Sequence, residues 1–225
     1  MRVVVIDYDG GNLASAAQAV RRAAQQAGLK ATVDISRDPE HVASADRLIL
    51  PGQGAFGDCM KGLEKTGLRP ILEGVTAERA LGGKGTPFLG ICVGMQLMAE
   101  SGTEHGQHKG LGWVKGHVKR MDGVEAAGLR LPHIGWNNLY FNQRHHAHPL
   151  LDGLEDGWHG YFVHSYALMG AEAAQCLASA DYGLPIPAIV AEGCRAGTQF
   201  HVEKSQDVGL RFLGNFLRWK PGMHS

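Results

Sequence analysis

Three short apolar runs, Val3-Val-Val-Ile6, Leu48-Ile-Leu50 and Phe88-Leu-Gly-Ile91, constrain this chain more than any other feature. Each is broken off by turn residues and each reads as a buried strand. The first is followed by the turn Asp9-Gly-Gly-Asn12 and by an alanine-rich helix over 14–27 that stops at Gly28. A second strand covers 31–35. The third, 47–50, ends abruptly at Pro51-Gly-Gln-Gly54, and helical patterns over 58–65 and 70–81 precede the strand that leads into Cys92. Strands alternating with helices in this way predict a parallel sheet with helices on both faces.

The second half changes character. Residues 114–120, 139–141, 161–168, 174–180 and 188–191 read as short strands, and Glu192-Gly-Cys-Arg195 as a hairpin turn into a strand over 197–201. A last amphipathic helix covers 206–219, with Leu210, Leu213, Phe216 and Leu217 on one face. The expected class is α/β: a mostly parallel central sheet between helices, with an additional antiparallel section in the second half. No repeat, low-complexity tract or linker interrupts the 225 residues, so 1–225 are expected to form one domain.

Composition narrows the functions. The 22 Lys and Arg balance 22 Asp and Glu, which gives no attraction to nucleic acid or an anionic membrane. No apolar run approaches the ~18–20 residues of a bilayer span. The start, Met1-Arg-Val-Val-Val-Ile-Asp7, is a strand ending in a charge and not a signal peptide. Cys59, Cys92, Cys176 and Cys194 form no CxxC pair and are too sparse for a disulfide scaffold. A cytoplasmic location is expected, with neither metal nor cofactor. The cluster His145-His-Ala-His148 lacks partner ligands at metal-binding spacing and reads as part of a solvated loop over 142–148.

The chemistry centres on Gly90-Ile-Cys92-Val-Gly94, a G-x-C-x-G element where a strand hands over to a helix. It is the thiol counterpart of the G-x-S-x-G nucleophile elbow, whose glycines avoid collision with the neighbouring strand and helix. Cysteine is also a common small core residue, but the strand-to-helix setting favours a nucleophile. The helix start would stabilise a thiolate and offer the Val93 N–H to a developing oxyanion. Of the twelve histidines, His201 stands at the end of a predicted strand with Glu203 two residues on, so the carboxylate can turn back onto the imidazole. Gly52-Gln-Gly54-Ala-Phe-Gly57 fits a dinucleotide fingerprint, yet it follows the third strand instead of the first. Its free N–H groups, Gln53 included, are better suited to completing an oxyanion hole.

Taken together, Pro51–Gly57, Pro87–Gln96, His164-Ser165-Tyr166 and Gly197–Glu203 resemble class I (triad) glutamine amidotransferases. More narrowly, Ile6-Asp-Tyr8, Gly11-Asn-Leu13, Pro132-His-Ile-Gly-Trp-Asn137 and Tyr161-Phe-Val-His-Ser-Tyr166 are similar to the glutaminase subunits of imidazole glycerol phosphate synthases, of histidine biosynthesis. The resemblance implies Cys92 as nucleophile, His201 as acid and base, and Glu203 as its orienting partner. It implies that Gln96 and His164-Ser165-Tyr166 hold the amino-acid part of glutamine, with Gly52 and Gly54 lining the pocket. It also implies a (β/α)8-barrel cyclase partner, in a heterodimer, which uses the ammonia to make imidazole glycerol phosphate and AICAR. The glutaminase of pyridoxal phosphate synthase is an alternative that Gly135-Trp-Asn137 argues against, and a catalytically silent binding relative is another. Two positions depart from the family: His201-Val-Glu203 replaces the usual H-P-E, and Asp9-Gly-Gly-Asn12 lacks the bulkier residue that often precedes Gly11. A glycine-bordered loop lets a peptide flip cheaply, so the Gly52-Gln-Gly54 N–H groups are expected to await a docked partner.

Overall fold

The computed structural model describes residues 1–77 and 84–222. Along the first part run β1 (Arg2–Ile6), α1 (Leu13–Gln26), β2 (Thr32–Ser36), α2 (Pro39–Ala43) and β3 (Arg47–Gly52). These are followed by α3 (Phe56–Lys65), α4 (Leu68–Thr76) and β4 (Phe88–Cys92), which passes directly into α5 (Val93–Gln96). Short strands then dominate: β5 (Ser101–Gly102), β6 (His108–Lys109), β7 (His117–Arg120), β8 (His133–Asn138) and β9 (Tyr140–Phe141). Five more follow, β10 (His159–His164), β11 (Tyr166–Met169), β12 (Cys176–Asp181), β13 (Pro185–Glu192) and β14 (Arg195–Thr198), before α6 (Gln206–Arg218).

Among the described residues the main sheet has the order β2-β1-β3-β4-β14-β13-β12-β9. The first five strands are parallel, and β13, β12 and β9 extend the sheet antiparallel. The chain steps from β1 outward to β2 and then back past β1 to β3. Right-handed crossovers therefore send α1 to one face and α2, α3 and α4 to the other. α1 packs with α6, and α4 with α2 and α3. Val3, Val4, Val5 and Ile6 are all fully buried, as a strand covered on both faces requires. Two separate assemblies complete the second half: a β10-β8 ribbon and a small β11-β7-β5-β6 sheet. Among the described residues no helix is long and apolar enough to cross a membrane.

The expected elements recur with instructive shifts. β3 continues through Pro51 to Gly52, because Gly52 stays in register with Cys92. The run 161–168 is two strands broken at Ser165, and the strand over 197–201 is Arg195–Thr198. That leaves Gln199 to His201 beyond the sheet. The helix over 70–81 ends at Thr76, and its last part, 78–83, lies outside the described residues. Neither α2 nor β8 is among the sequence expectations. The signal for α2 was present: Asp38 accepts N–H groups of Glu40 and His41, and Pro39 occupies the first turn. α5 is one turn, shorter than the pattern Met95, Leu97, Met98 suggests. The carbonyls of Leu97, Met98 and Ala99, which a longer helix would use itself, accept N–H groups from Leu111, Trp113, Val114 and Gly112.

Between β4 and α5, Cys92 adopts φ 55° and ψ −113°, a conformation that costs a non-glycine residue strain. It is held there by crowding. A Cβ on Gly90 would fall well inside contact with the Gly94 carbonyl, and one on Gly94 inside contact with the Leu50 carbonyl oxygen of β3. Both obstacles are backbone and cannot swing aside. Gly94→Ala is expected to destabilise the protein by about 3 kcal/mol or more, at the upper end of overpacking costs, measured as a lowered denaturant midpoint. A native midpoint would show that the turn can open without loss.

Candidate active site

A cleft of about 360 Å³ opens above the turn, and Cys92, 3 % exposed, lies in its wall. The register that pairs Gly52 with Cys92 and Thr198 with Ile91 brings three strand ends together there. β3 contributes the glycine loop, β4 the cysteine, and β14 the segment that reaches His201. The His201 backbone is tied to β10: its N–H donates to the Tyr161 carbonyl (2.9 Å), and its carbonyl accepts the Ser205 hydroxyl (2.7 Å). Ser205 Oγ in turn accepts the Tyr161 N–H at 2.9 Å.

Glu203 sits on a short 3-10 turn, Val202–Lys204, and its Oε1 lies 2.7 Å from His201 Nδ1. Cys92 is the other group that acts on the imidazole. Burial alone would depress the His201 pKa. Hydrogen bonds to Cys92 and Glu203, reinforced by their charges, overcome that penalty and raise it to about 9. Both partners favour the charged form of the ring. Val202, where the family's usual residue is proline, is buried, and its backbone lies against Gly209 of α6.

Gln53, Gly54 and Val93 border the cleft. Gly52 does not. Because β3 continues through it, Gly52 is buried with its α-carbon against the backbone of Val93 and Gly94, a place with no room for a Cβ. Its function there is close packing of the loop on the turn. The loop is fixed beyond it as well, for Cys59 Sγ donates to the Gln53 carbonyl at 3.3 Å. Glu104 Oε2 accepts the Phe56 N–H at 3.0 Å in the first turn of α3.

Gln96 and His164 converge on one carbonyl. Gln96 Nε2 donates to Tyr166 O at 2.8 Å and to Gln199 Oε1 at 3.1 Å, which leaves Gln96 Oε1 as the atom able to address the cleft. His164 Nδ1 lies 3.0 Å from the same oxygen and must carry the proton, since a carbonyl only accepts. Its Nε2 then accepts from His133 Nδ1 at 3.2 Å. His133 Nε2 meets the Asn137 amide at 3.3 Å, and that amide also donates to Asp181 O at 2.8 Å. Every partner is satisfied with both rings neutral. Burial lowers His133 to about 4; burial, then the neighbouring His133 and His201, lower His164 to about 3. His164 therefore lines the cleft as a neutral ring with both nitrogens engaged, beside Ser165 and Tyr166.

Five residues at the cleft were given no role in the sequence reading: Glu104, Pro132, Val163 and Lys204 in its wall, and Gln199 beside Cys92. Pro132, Val163 and Gln199 fall inside quoted motifs and Lys204 follows one, but nothing in their spacing announces a contact with the site. Among the described residues no group of three His, Cys, Asp or Glu side chains is placed to hold a metal. The cluster at 145–148 lies elsewhere, with His145 Nε2 near the Ala173 carbonyl.

Comparison with known proteins identifies the family. The family model for class-I glutamine amidotransferases matches residues 4–218. Imidazole glycerol phosphate synthase subunit HisH of Gluconobacter oxydans (strain 621H) is 63 % identical, over 97 % of this chain and 99 % of the relative. The subunit of the same name from Granulibacter bethesdensis is 55 % identical, over 98 % and 97 %. Among solved structures, the glutaminase domain of Trypanosoma brucei CTPS with bound acivicin superposes with a TM-score of 0.64, covering 98 % of this chain and 95 % of that one. At 14 % identity it speaks to the fold alone. A match that spans nearly every residue, with identity above half in two relatives, leaves one assignment: the chain belongs to the class-I glutamine amidotransferases, and within them to the family of imidazole glycerol phosphate synthase subunit HisH.

Proposed function

We propose that residues 1–225 act as one glutaminase domain that hydrolyses glutamine to glutamate and ammonia through a Cys92–His201–Glu203 triad. The observation that carries this reading is the buried His201–Glu203 pair held against a cysteine at a strained strand-to-helix turn. With Nδ1 occupied by Glu203, His201 turns Nε2 toward the sulfur. The Cys92 thiolate attacks the side-chain carbonyl carbon of glutamine and forms a tetrahedral oxyanion. Val93 and the Gln53–Gly54 loop line the cleft, and their N–H groups are the donors we assign to that oxygen. His201 gives its Nε2 proton to the amide nitrogen, the C–N bond breaks and ammonia departs. A water then loses a proton to His201 and attacks the thioester, which releases glutamate and restores the thiolate. Gln96 Oε1 is an acceptor suited to the substrate's α-ammonium group, next to the His164-Ser165-Tyr166 strand ends.

Ammonia is mostly protonated at neutral pH, hence a poor nucleophile, and would diffuse from an open cleft. A partner is expected to receive it: the cyclase subunit of imidazole glycerol phosphate synthase, a (β/α)8 barrel, in a cytoplasmic heterodimer serving histidine biosynthesis. The synthase-subunit name of the relatives supports this reading. So does the β8–β10 ribbon. Ile134 and Trp136, 60 % and 48 % exposed, share one face of β8, and its partner β10 runs to His164 at the cleft. The Trp136 ring touches Tyr161, which lies under the Lys204 ammonium at the cleft edge. A partner seated on this face would cap the cleft.

Cys92→Ala is expected to fold and to retain less than about 1 % of glutamine turnover, because no other group on this cleft can form the thioester. Retention of several per cent would remove Cys92 from its role. Glu203→Gln should lower kcat by roughly a hundredfold or more through loss of the oriented imidazolium, with KM for glutamine nearly unchanged. Weakened binding at native turnover would contradict the orienting role. The cyclase subunit with its nucleotide substrate should raise glutamine hydrolysis by on the order of a hundredfold, the value of one oxyanion donor brought into line. Equal turnover by the chain alone and by the loaded complex would refute the partner assignment.

A further inference from the structure

Gln199 is fully buried, 0 % exposed, and its amide lies between the two halves of the site. Its Nε2 is 3.8 Å from Cys92 Sγ, and its Oε1 accepts from Gln96 Nε2 at 3.1 Å. An amide can face either way, so the orientation needs an argument, and the far end of the chain supplies one. The Tyr166 carbonyl can only accept, so the group that Gln96 turns to it at 2.8 Å must be its NH2. That same NH2 faces Gln199, which must answer with its oxygen. The Gln199 NH2 is then the group left to face the sulfur. Polarity runs without a choice from a backbone carbonyl on β11 to the nucleophile.

We propose that Gln199 is a further catalytic residue of this site: a fixed amide donor to the Cys92 sulfur that holds the thiolate opposite His201 and, through the same amide, keeps Gln96 presented to substrate. The proposal rests on the glutaminase reading for its consequence in turnover, but the contact itself belongs to the free protein. A donor aimed at sulfur fixes the position of that atom and stabilises negative charge on it during attack. It has no proton to lose at neutral pH, so it leaves proton transfer to His201. Its burial removes water as a competing partner, which strengthens the bond.

The test reads the sulfur without glutamine. In the native protein, Gln199→Glu and Gln199→Met, the rate of Cys92 alkylation by iodoacetamide is followed by peptide mass spectrometry, with partly exposed Cys176 as internal reference. The glutamate keeps an acceptor for Gln96 and replaces the donor at sulfur. Its Cys92 should alkylate roughly tenfold or more slowly, the loss expected for a hydrogen bond to a charged group, while Cys176 is unchanged. With the cyclase partner, its kcat should fall in proportion while KM for glutamine stays within about threefold of native; the methionine variant should lose kcat and also raise KM, because Gln96 is released. A merely structural residue would lower the melting temperature and leave the Cys92 rate at or above native, and that result would overturn the proposal. Should neither variant fold, the native protein still decides: the Gln199 side-chain NH2 resonances should shift when Cys92 alone is carboxamidomethylated, and unshifted resonances would overturn it. Slowed alkylation in the variants together with no glutamine turnover by the native complex would sink the glutaminase reading and leave the Gln199 contact standing.

Discussion

The Leu50 carbonyl of β3 lies where a side chain on Gly94 would have to go, and this close approach governs the geometry of the whole site. It lets α5 start immediately above the sheet, so the residue between β4 and α5 has to take a positive φ. That residue is Cys92. Its sulfur is thereby lifted from the sheet end toward the segment leaving β14. Because β3, β4 and β14 are adjacent and parallel, the glycine loop, the cysteine and the histidine arrive at the same edge. The location at the carboxyl ends of parallel strands is where open α/β sheets bind ligands in general.

Polarity does the rest of the positioning. Two histidines a few residues' breadth apart are driven in opposite directions by their partners. His201 faces a carboxylate and a cysteine, which favour its charged form; His164 faces a carbonyl and another imidazole, and burial favours its neutral form. The difference is one of available acceptors, since burial opposes the charge in both cases. The Tyr166 carbonyl accepts from both Gln96 and His164, so it joins the β8–β10 ribbon to the short helix after Cys92. His133, stacked between Phe162 and Tyr182 with ring centroids at 4.7 and 3.9 Å, keeps the ribbon end of this network rigid.

Much of this was legible in the residues. The G-x-C-x-G turn, the H-x-E step and the buried strand runs each arise from interactions within a few positions of chain, where spacing and steric need coincide. Gly52 shows the limit of such reading. It was expected at the cleft surface because it opens a glycine loop, yet the sheet register carries it underneath, and its missing side chain serves packing. α5 shows the same limit. Its apolar spacing suggests several turns, but the carbonyls after Gln96 are claimed by a segment beginning at Gly110.

Short-range patterns therefore account for the α/β layering, for the cysteine at the strand-to-helix turn and for the imidazole–carboxylate pair beside it. These depend on periodicity, on glycine sterics and on a carboxylate two residues from an imidazole. Only the tertiary structure decided which distant groups complete the site: Gln199 behind the sulfur, 107 residues away; Glu104 beneath the glycine loop, 48 from Phe56; and His133 against His164 across a ribbon. A hydrogen bond between distant residues has no signature in spacing, because the register and crossover that bring its two atoms within reach are settled by the packing of the entire core.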